Sequence, residues 1–189
     1  VAGSSCRSVV VVVSIVSCYL FFFCVCFFFL RIRRPPGYKQ RSASAASDVY
    51  KRHDWYCLDY WAEQTQLSIT DLKREVQHLI QLRTDAHDFL CALKSSGRDI
   101  VLVTNAHPDS LALKIERTQL DKYFDTLYST HEFGVTKESQ LLWQRLQEKH
   151  GFVLEQTLFV DDSITILDSA KKYGFEHLLA VANPDSQQD

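Results

Sequence analysis

The sequence has no methionine, no Cys-x-x-Cys pair and no excess of basic over acidic residues. Its 21 Lys and Arg residues are outnumbered by 23 Asp and Glu residues, so nucleic acid is not expected as a partner. The six cysteines lack the paired spacing of zinc sites, so neither a zinc site nor a disulfide framework is indicated. A reducing, cytoplasmic environment suits the main body of the chain. Since translation begins with methionine, we expect the sequence to be a fragment, a processed chain or an imperfect gene model.

Acidic residues are also absent before Asp48, whereas six of the bases precede residue 42, which leaves 15 bases against 23 acids in the rest. This first part contains the uncharged run Val9 to Leu30, which is long enough for a helix across a hydrocarbon core of about 30 Å. Arg31, Arg33 and Arg34 follow it, and they predict a single-pass membrane anchor with a cytosolic C-terminal domain. The alternative is that a run made largely of Val and Phe is low-complexity sequence foreign to the protein.

We divide the chain into a hydrophobic segment (1–34), a linker (35–47), a partial helical cap (48–82) and an α/β core (83–189). The cap is predicted from apolar residues at helical spacing in Asp48–Gln64 and Thr70–Leu82. The core is predicted to alternate between helices (Asp85–Ser95, Pro108–Thr118, Glu138–His150, Ser163–Tyr173) and strands (Ile100–Thr104, Thr126–Ser129, Thr157–Val160, Leu178–Val181). This order predicts a doubly wound parallel sheet.

Polar residues follow the predicted strands, at the edge where ligands of such sheets bind. Thr104 and Asn105 can hold an anion at the start of the next helix, or they can simply cap that helix. Asp161 and Asp162 repel each other unless a cation such as Mg²⁺ offsets them, with a helix cap as the alternative. Lys137 precedes a helix, against its dipole, which indicates an anionic partner, although a solvated surface lysine is the commoner explanation.

In the order strand-Thr, loop-Lys, strand-Asp-Asp, these residues resemble motifs II, III and IV of the haloacid dehalogenase (HAD) superfamily of phosphohydrolases. Several stretches are similar, more narrowly, to bacterial HAD-type GMP/IMP 5′-nucleotidases: WYCLDYW (55–61), LVTNAHP (102–108), STHEFG (129–134), LFVDDS (158–163) and NPDS (183–186). The resemblance covers residues 48–186 and implies a HAD-like fold.

It further implies Mg²⁺-dependent hydrolysis of a purine nucleoside 5′-monophosphate through an aspartyl-phosphate. Phosphate binding would fall to Thr104, Asn105 and Lys137, and metal binding to Asp161 and Asp162, with Thr104 and Lys137 taking part in catalysis. The family often has Pro before the lysine, where this chain has Thr136.

The family's nucleophile stands on a D-x-D-G-T loop after a central first strand, and no D-x-D occurs in this chain. We therefore expect that central strand to be missing or replaced and the chain as written to be inactive. Val9 to Val13 could fill the place of the strand sterically, but no carboxylate follows them.

Two further groups of residues are considered for ligand binding, the aromatic residues of the cap and three histidines. The cap aromatics could stack a purine whose ring N–H groups meet Asp59, although packing is the commoner role of such residues: Trp55, Tyr56, Tyr60, Trp61. Three histidines lack metal-ligand spacing and are interpreted as surface or turn residues: His87, His107, His131.

Two functions remain open from the sequence. In the first, the protein is a purine nucleotidase that is active in its full-length form. In the second, it is a membrane-anchored, catalytically dead HAD-like domain that binds a partner or a nucleotide.

Overall fold

Five parallel strands form one sheet in the computed structural model, which describes residues 10–13, 56–82 and 85–181. In chain order the strands are β1 (Val10–Val13), β2 (Asp99–Thr104), β3 (Thr126–Ser129), β4 (Leu158–Asp161) and β5 (His177–Ala180). Their order across the sheet is β3-β2-β1-β4-β5. The chain thus moves outward from the centre in one direction and then in the other, which confirms the predicted doubly wound sheet.

Six α-helices accompany the sheet in the described ranges: α1 (Leu58–Thr65), α2 (Ile69–Glu75), α3 (Ala86–Ser95), α4 (Pro108–Thr118), α5 (Gln140–His150) and α6 (Ile164–Tyr173). Short 3₁₀ turns span Gln77–Leu79, Leu120–Lys122, Thr130–Phe133 and Leu154–Gln156. The predicted helices and strands of the core are confirmed to within two residues at each end.

The core lies on both faces of the sheet because successive side chains of a strand point to opposite sides. In β2, Val101 and Val103 pack with Trp143 of α5 on one face. Ile100 and Leu102 pack on the other face, in a cluster that includes Leu90 of α3. A strand buried on both faces must be apolar throughout, which explains the sequence IVLV.

The prediction of an N-terminal hydrophobic helix over Val9–Leu30 is wrong for Val10–Val13, because these residues form β1 at the centre of the sheet. This strand pairs with β2 through Val13 and Leu102 and with β4 through Val13 and Val160. Valine favours extended backbone, and the two neighbouring strands offer hydrogen bonds on both sides. Val10–Val13 therefore occupy the place of the central strand, as the sequence allows for Val9–Val13 on steric grounds.

The rest of that predicted anchor, the linker 35–47 and residues 48–55 of the predicted first cap helix lie outside the described residues. Within the described part of the chain, no helix has the length and apolar character to cross a membrane.

The second cap helix is shorter than the predicted Thr70–Leu82, because α2 ends at Glu75 and a 3₁₀ turn follows. Leu79, which lies in that turn, is 59% exposed. Apolar spacing stabilises a helix only where the apolar face is buried, and this half of the segment buries little.

Candidate active site

The carboxyl ends of β2 and β4 place Thr104 and Asp161 at the same edge of the sheet, as the last residues of their strands. The central strand β1 lies between them. Both residues are buried. The structure thus brings the predicted threonine and the predicted aspartate together at one edge.

Lys137 reaches this edge from the loop before α5 and is fully buried, with an exposed fraction of 0%. Its ammonium Nζ donates a hydrogen bond of 2.7 Å to Oδ2 of Asp161, whose side chain is also 0% exposed. Lys137 thus has an anionic partner within the chain, and the surface-lysine alternative is wrong. Burying a charge without such a partner would be costly, so the pair fixes the ammonium at the end of β4.

The Asn105 side chain braces the lysine loop. Its Oδ1 accepts a hydrogen bond from the backbone N–H of Lys137 at 3.0 Å and another from the Thr130 hydroxyl at 3.2 Å. Its Nδ2 donates to Oε2 of Glu138 at 3.3 Å. The family resemblance implies phosphate binding by the Asn105 backbone. These side-chain contacts could not be predicted, because hydrogen bonds between residues 32 positions apart leave no pattern in a sequence.

Thr104 does not cap the helix that follows it. Its Oγ1 accepts a hydrogen bond from the N–H of Ala106 at 3.1 Å, whereas His107 is the N-cap residue of α4. A hydroxyl that accepts one bond still has its own proton to donate. Thr104 can therefore donate to an oxygen of a bound anion at this edge of the sheet.

Asp162 follows the buried aspartate and is less deeply placed than Asp161. Its burial and the neighbouring carboxylate of Asp161 raise the pKa of Asp162 from 3.8 to about 6, while Lys137 acts in the opposite direction. The helix-cap alternative has no support, because the side chain of Ser163, the N-cap residue of α6, makes no capping hydrogen bond.

The donor set at this edge fits Mg²⁺, which prefers carboxylate oxygens. Oδ1 of Asp161 accepts the N–H of Ser163 at 2.8 Å and Oδ2 accepts Lys137, so both oxygens are oriented and each has a further lone pair. The raised pKa of Asp162 marks a carboxylate whose charge lacks compensation, and a divalent cation beside it would supply that compensation.

A second group of side chains converges where α1 meets the start of α4. Ligand atoms of Cys57, Asp59 and His107 lie within 4.8 Å of one another. From the sequence, His107 is interpreted as a surface or turn residue, and no spacing pattern predicts this cluster, because the histidine is fifty residues away from the cysteine.

A family model described as haloacid dehalogenase-like hydrolase matches residues 41–174, which is most of the chain. The chain belongs to this family. Its members' fold is present in the described ranges as the five-stranded parallel sheet with Thr104, Lys137 and Asp161 at the carboxyl edge.

Among curated HAD-like relatives, the chain is 50% identical over 139 residues to the GMP/IMP nucleotidase YrfG of Escherichia coli. The match covers 74% of this chain and 63% of the relative, so the chain spans less than two thirds of that protein. An (S)-2-haloacid dehalogenase of Pseudomonas fluorescens is 25% identical over 91 residues, which cover 48% of this chain and 40% of that protein.

Solved HAD-like structures support the same fold. A HAD family enzyme of Bacteroides thetaiotaomicron in complex with magnesium and inorganic phosphate superposes with a TM-score of 0.63, at 14% identity, over 97% of this chain and 96% of that one. The L-2-haloacid dehalogenase of Xanthobacter autotrophicus has a TM-score of 0.58, at 18% identity, over 94% and 78% of the two chains.

Proposed function

We propose that this edge of the sheet is the phosphate- and cation-binding part of a purine nucleoside 5′-monophosphate phosphohydrolase, with GMP and IMP as substrates of the intact enzyme. The observation that carries the proposal is the buried Lys137–Asp161 ion pair at the same edge of the sheet as Thr104. The 50% identity to a GMP/IMP nucleotidase supports the choice of substrate.

Each side chain has a role that follows from its chemistry. The Thr104 hydroxyl donates to a phosphate oxygen, and the Lys137 ammonium neutralises charge on the phosphate. Asp161 and Asp162 hold Mg²⁺, which when bound supplies positive charge to the phosphate oxygens. Asn105 positions Lys137 through the loop backbone. These groups bind and orient a phosphate ester, but none of them is a nucleophile.

The nucleophile is absent from the sequence that follows β1. Val13 is succeeded by Ser14, Ile15, Val16 and Ser17, none of which has a carboxylate. We therefore infer that the chain as written binds nucleotide and Mg²⁺ but does not hydrolyse GMP or IMP, because the covalent route needs an aspartate at this point.

The cap supplies the base-binding side of the proposal. Tyr60 and Trp61 on α1 contact each other edge to face at a centroid distance of 5.3 Å, and Tyr60 is 37% exposed. An exposed ring can stack on a purine. The Asp59 side chain on the same helix is 83% exposed; its Oδ2 faces His107 at 3.7 Å, and its Oδ1 can accept a hydrogen bond from a guanine N–H group.

The second function, a membrane-anchored domain that binds without turnover, is favoured by the central strand that no carboxylate follows. Its anchor would be the part of the uncharged run that follows β1, residues 14–30. Fractionation of cells that express the full chain separates the two ideas, since a genuine anchor retains the protein in the membrane after a carbonate wash.

The experiment restores the missing carboxylates. Val13 pairs with Val160, so residue 14 is one step beyond the pair, as Asp161 is on β4. We expect the double substitution Ser14→Asp and Val16→Asp to give Mg²⁺-dependent release of phosphate from GMP and IMP, whereas Ser14→Asn with Val16→Asn remains inactive.

Two controls make this experiment decisive. In the Asp-substituted chain, Asp161→Asn should abolish turnover and weaken Mg²⁺ binding in calorimetry, whereas Asp168→Asn, at an exposed position of α6, should leave both unchanged. Turnover by the unsubstituted chain above that of its Lys137→Met variant would contradict the inferred inactivity. A folded Asp-substituted chain that binds Mg²⁺ without turnover would contradict the proposed place of the nucleophile.

A further inference from the structure

Cys57, Asp59 and His107 come from two parts of the chain and meet at the junction of cap and core. Cys57 is the N-cap residue of α1, Asp59 lies in its first turn, and His107 is the N-cap residue of α4. One ligand atom from each lies within 4.8 Å of the other two. We propose that these three residues bind Zn²⁺ and thereby fasten the cap helix to the core.

The spacing of the atoms suits a tetrahedral ion. Zinc bonds of about 2.0–2.3 Å at tetrahedral angles place neighbouring ligand atoms about 3.4–3.6 Å apart. The observed distance between Oδ2 of Asp59 and Nε2 of His107 is 3.7 Å. The widest separation in the cluster, 4.8 Å at most, therefore needs to close by about 1 Å.

The donor types select zinc over magnesium. A thiolate, a neutral imidazole and a carboxylate are the ligands of Zn²⁺, whereas Mg²⁺ takes oxygen atoms in an octahedron. One thiolate and one carboxylate also balance the charge of the ion. Three protein ligands leave the fourth position to water.

His107 is held in place for this task. Its side chain is 13% exposed, and its ring packs edge to face on His131 at a centroid distance of 5.0 Å. Nδ1 accepts the N–H of Asp109 at 3.3 Å, and the Asp109 carboxylate lies 3.8 Å away. Binding of the ion at Nε2 would require the ring proton on Nδ1, so the hydrogen bond from the Asp109 N–H would be lost and the Nδ1–H group would face the Asp109 carboxylate instead.

Zinc bound at this site would add a strong contact between α1 and the start of α4, close to the edge of the sheet where Thr104 lies. His107 is three residues beyond Thr104, and nearby the Lys73 ammonium of α2 donates to the Ser110 hydroxyl of α4 at 2.6 Å. A metal that binds only when these three residues are together stabilises that arrangement by mass action. Zinc binding would therefore hold α1 against the turn that follows β2.

Cysteine alkylation tests the site in the full chain. A zinc-bound thiolate reacts slowly with alkylating reagents. We therefore expect about 50 µM Zn²⁺, well above the dissociation constant of a structural zinc site, to slow iodoacetamide labelling of Cys57 at least tenfold, as mapped by mass spectrometry. Mg²⁺ should give no protection. Asp59→Asn, at a side chain that is 83% exposed, and His107→Gln should each remove most of the protection.

The chain provides a matched control group of the same residue types. Cys91 lies 3.8 Å from Nε2 of His87, which is beside Asp88, but these residues make no three-ligand cluster in the described ranges. Zn²⁺ should protect Cys91 less than Cys57, and His87→Gln should leave Cys57 protected. Absence of protection at Cys57, or protection that persists in both Asp59→Asn and His107→Gln, would overturn the proposal.

Discussion

The side-chain oxygen of Asn105 accepts the backbone N–H of Lys137 at 3.0 Å and so ties the end of β2 to the loop that carries the lysine. The ammonium of the same lysine ends on Asp161 of β4. Two strands on opposite sides of β1 are therefore linked through one loop residue. Because the link is buried, its strength depends on every polar group in it being paired.

Asn105→Ala removes the acceptor of two buried donors, the Lys137 N–H and the Thr130 hydroxyl. We expect a loss of about 1–3 kcal/mol in the free energy of unfolding, since buried donors without a partner bear their full desolvation cost. Urea unfolding measures it. Gln144→Ala is the control, because that amide is exposed and bonded to Glu148, and it should change the free energy little. Equal effects of the two variants would show that the brace is unimportant.

Thr136 has a buried hydroxyl with no hydrogen-bond partner in the described part of the chain. Thr136→Val keeps the shape and removes the unpaired oxygen. We expect the variant to be more stable by about 0.5–2 kcal/mol, because the desolvation cost of the hydroxyl disappears. Thr157→Val is the contrasting control, since the Thr157 hydroxyl donates to the Val153 carbonyl at 2.6 Å and its loss should destabilise. A destabilised Thr136→Val would indicate that a ligand or water pairs with the hydroxyl.

The core could be predicted from the sequence because its strands are buried on both faces. Residues 100–103 are continuously apolar, and the helices after each strand have clear ends, such as Pro108 at the start of α4 and Gly151 after α5. Thr104 and Asp161 could be predicted for the same reason, since the ends of parallel strands share one edge. Lys137 could be predicted only from its place before a helix and from the family motif, because no strand ends at that residue.

Three features could not be predicted because they depend on long-range packing. Valine fits a membrane helix or a central strand equally well by composition, and the open place between β2 and β4 decides for the strand in Val10–Val13. The Asn105 brace and the approach of Cys57 to His107 join residues more than thirty positions apart. The periodicity of apolar residues shows which face of a helix or strand is buried, but it contains no information about contacts between residues that are distant in the sequence.

The stability of the metal-free protein should depend on pH through Asp162. Its pKa is raised from 3.8 to about 6, so the folded state holds the proton more tightly than the unfolded state. This group therefore contributes stability below pH 4 that is lost as the pH rises through 6. In EDTA, Asp162→Asn should gain about 1–2 kcal/mol over the natural chain between pH 4 and pH 7.5, after allowance for partial solvent exposure.

Urea unfolding at the two pH values checks this dependence. Asp168→Asn is the control, because that carboxylate lies at an exposed position of α6 and should show the same difference from the natural chain at both values. A constant difference between Asp162→Asn and the natural chain would show that the Asp162 proton is not linked to folding.

The central position of β1 predicts that its backbone is indispensable. Val12 pairs with Val101 of β2 and with Phe159 of β4, so the strand has a neighbour on each side. Val12→Pro removes a backbone donor where no edge is available and should cost about 3 kcal/mol or more. Displacement of β1 would leave unpaired N–H and C=O groups on the facing edges of β2 and β4, which favours aggregation. We therefore expect Val12→Pro to be insoluble or to bind hydrophobic dye without a cooperative unfolding transition.

Val12→Ala is the control, because it keeps the backbone donor, and it should unfold cooperatively at a somewhat lower urea concentration than the natural chain. If both variants unfold cooperatively at the same urea midpoint, the sheet does not need β1, and the fold then rests on the strands from β2 onward.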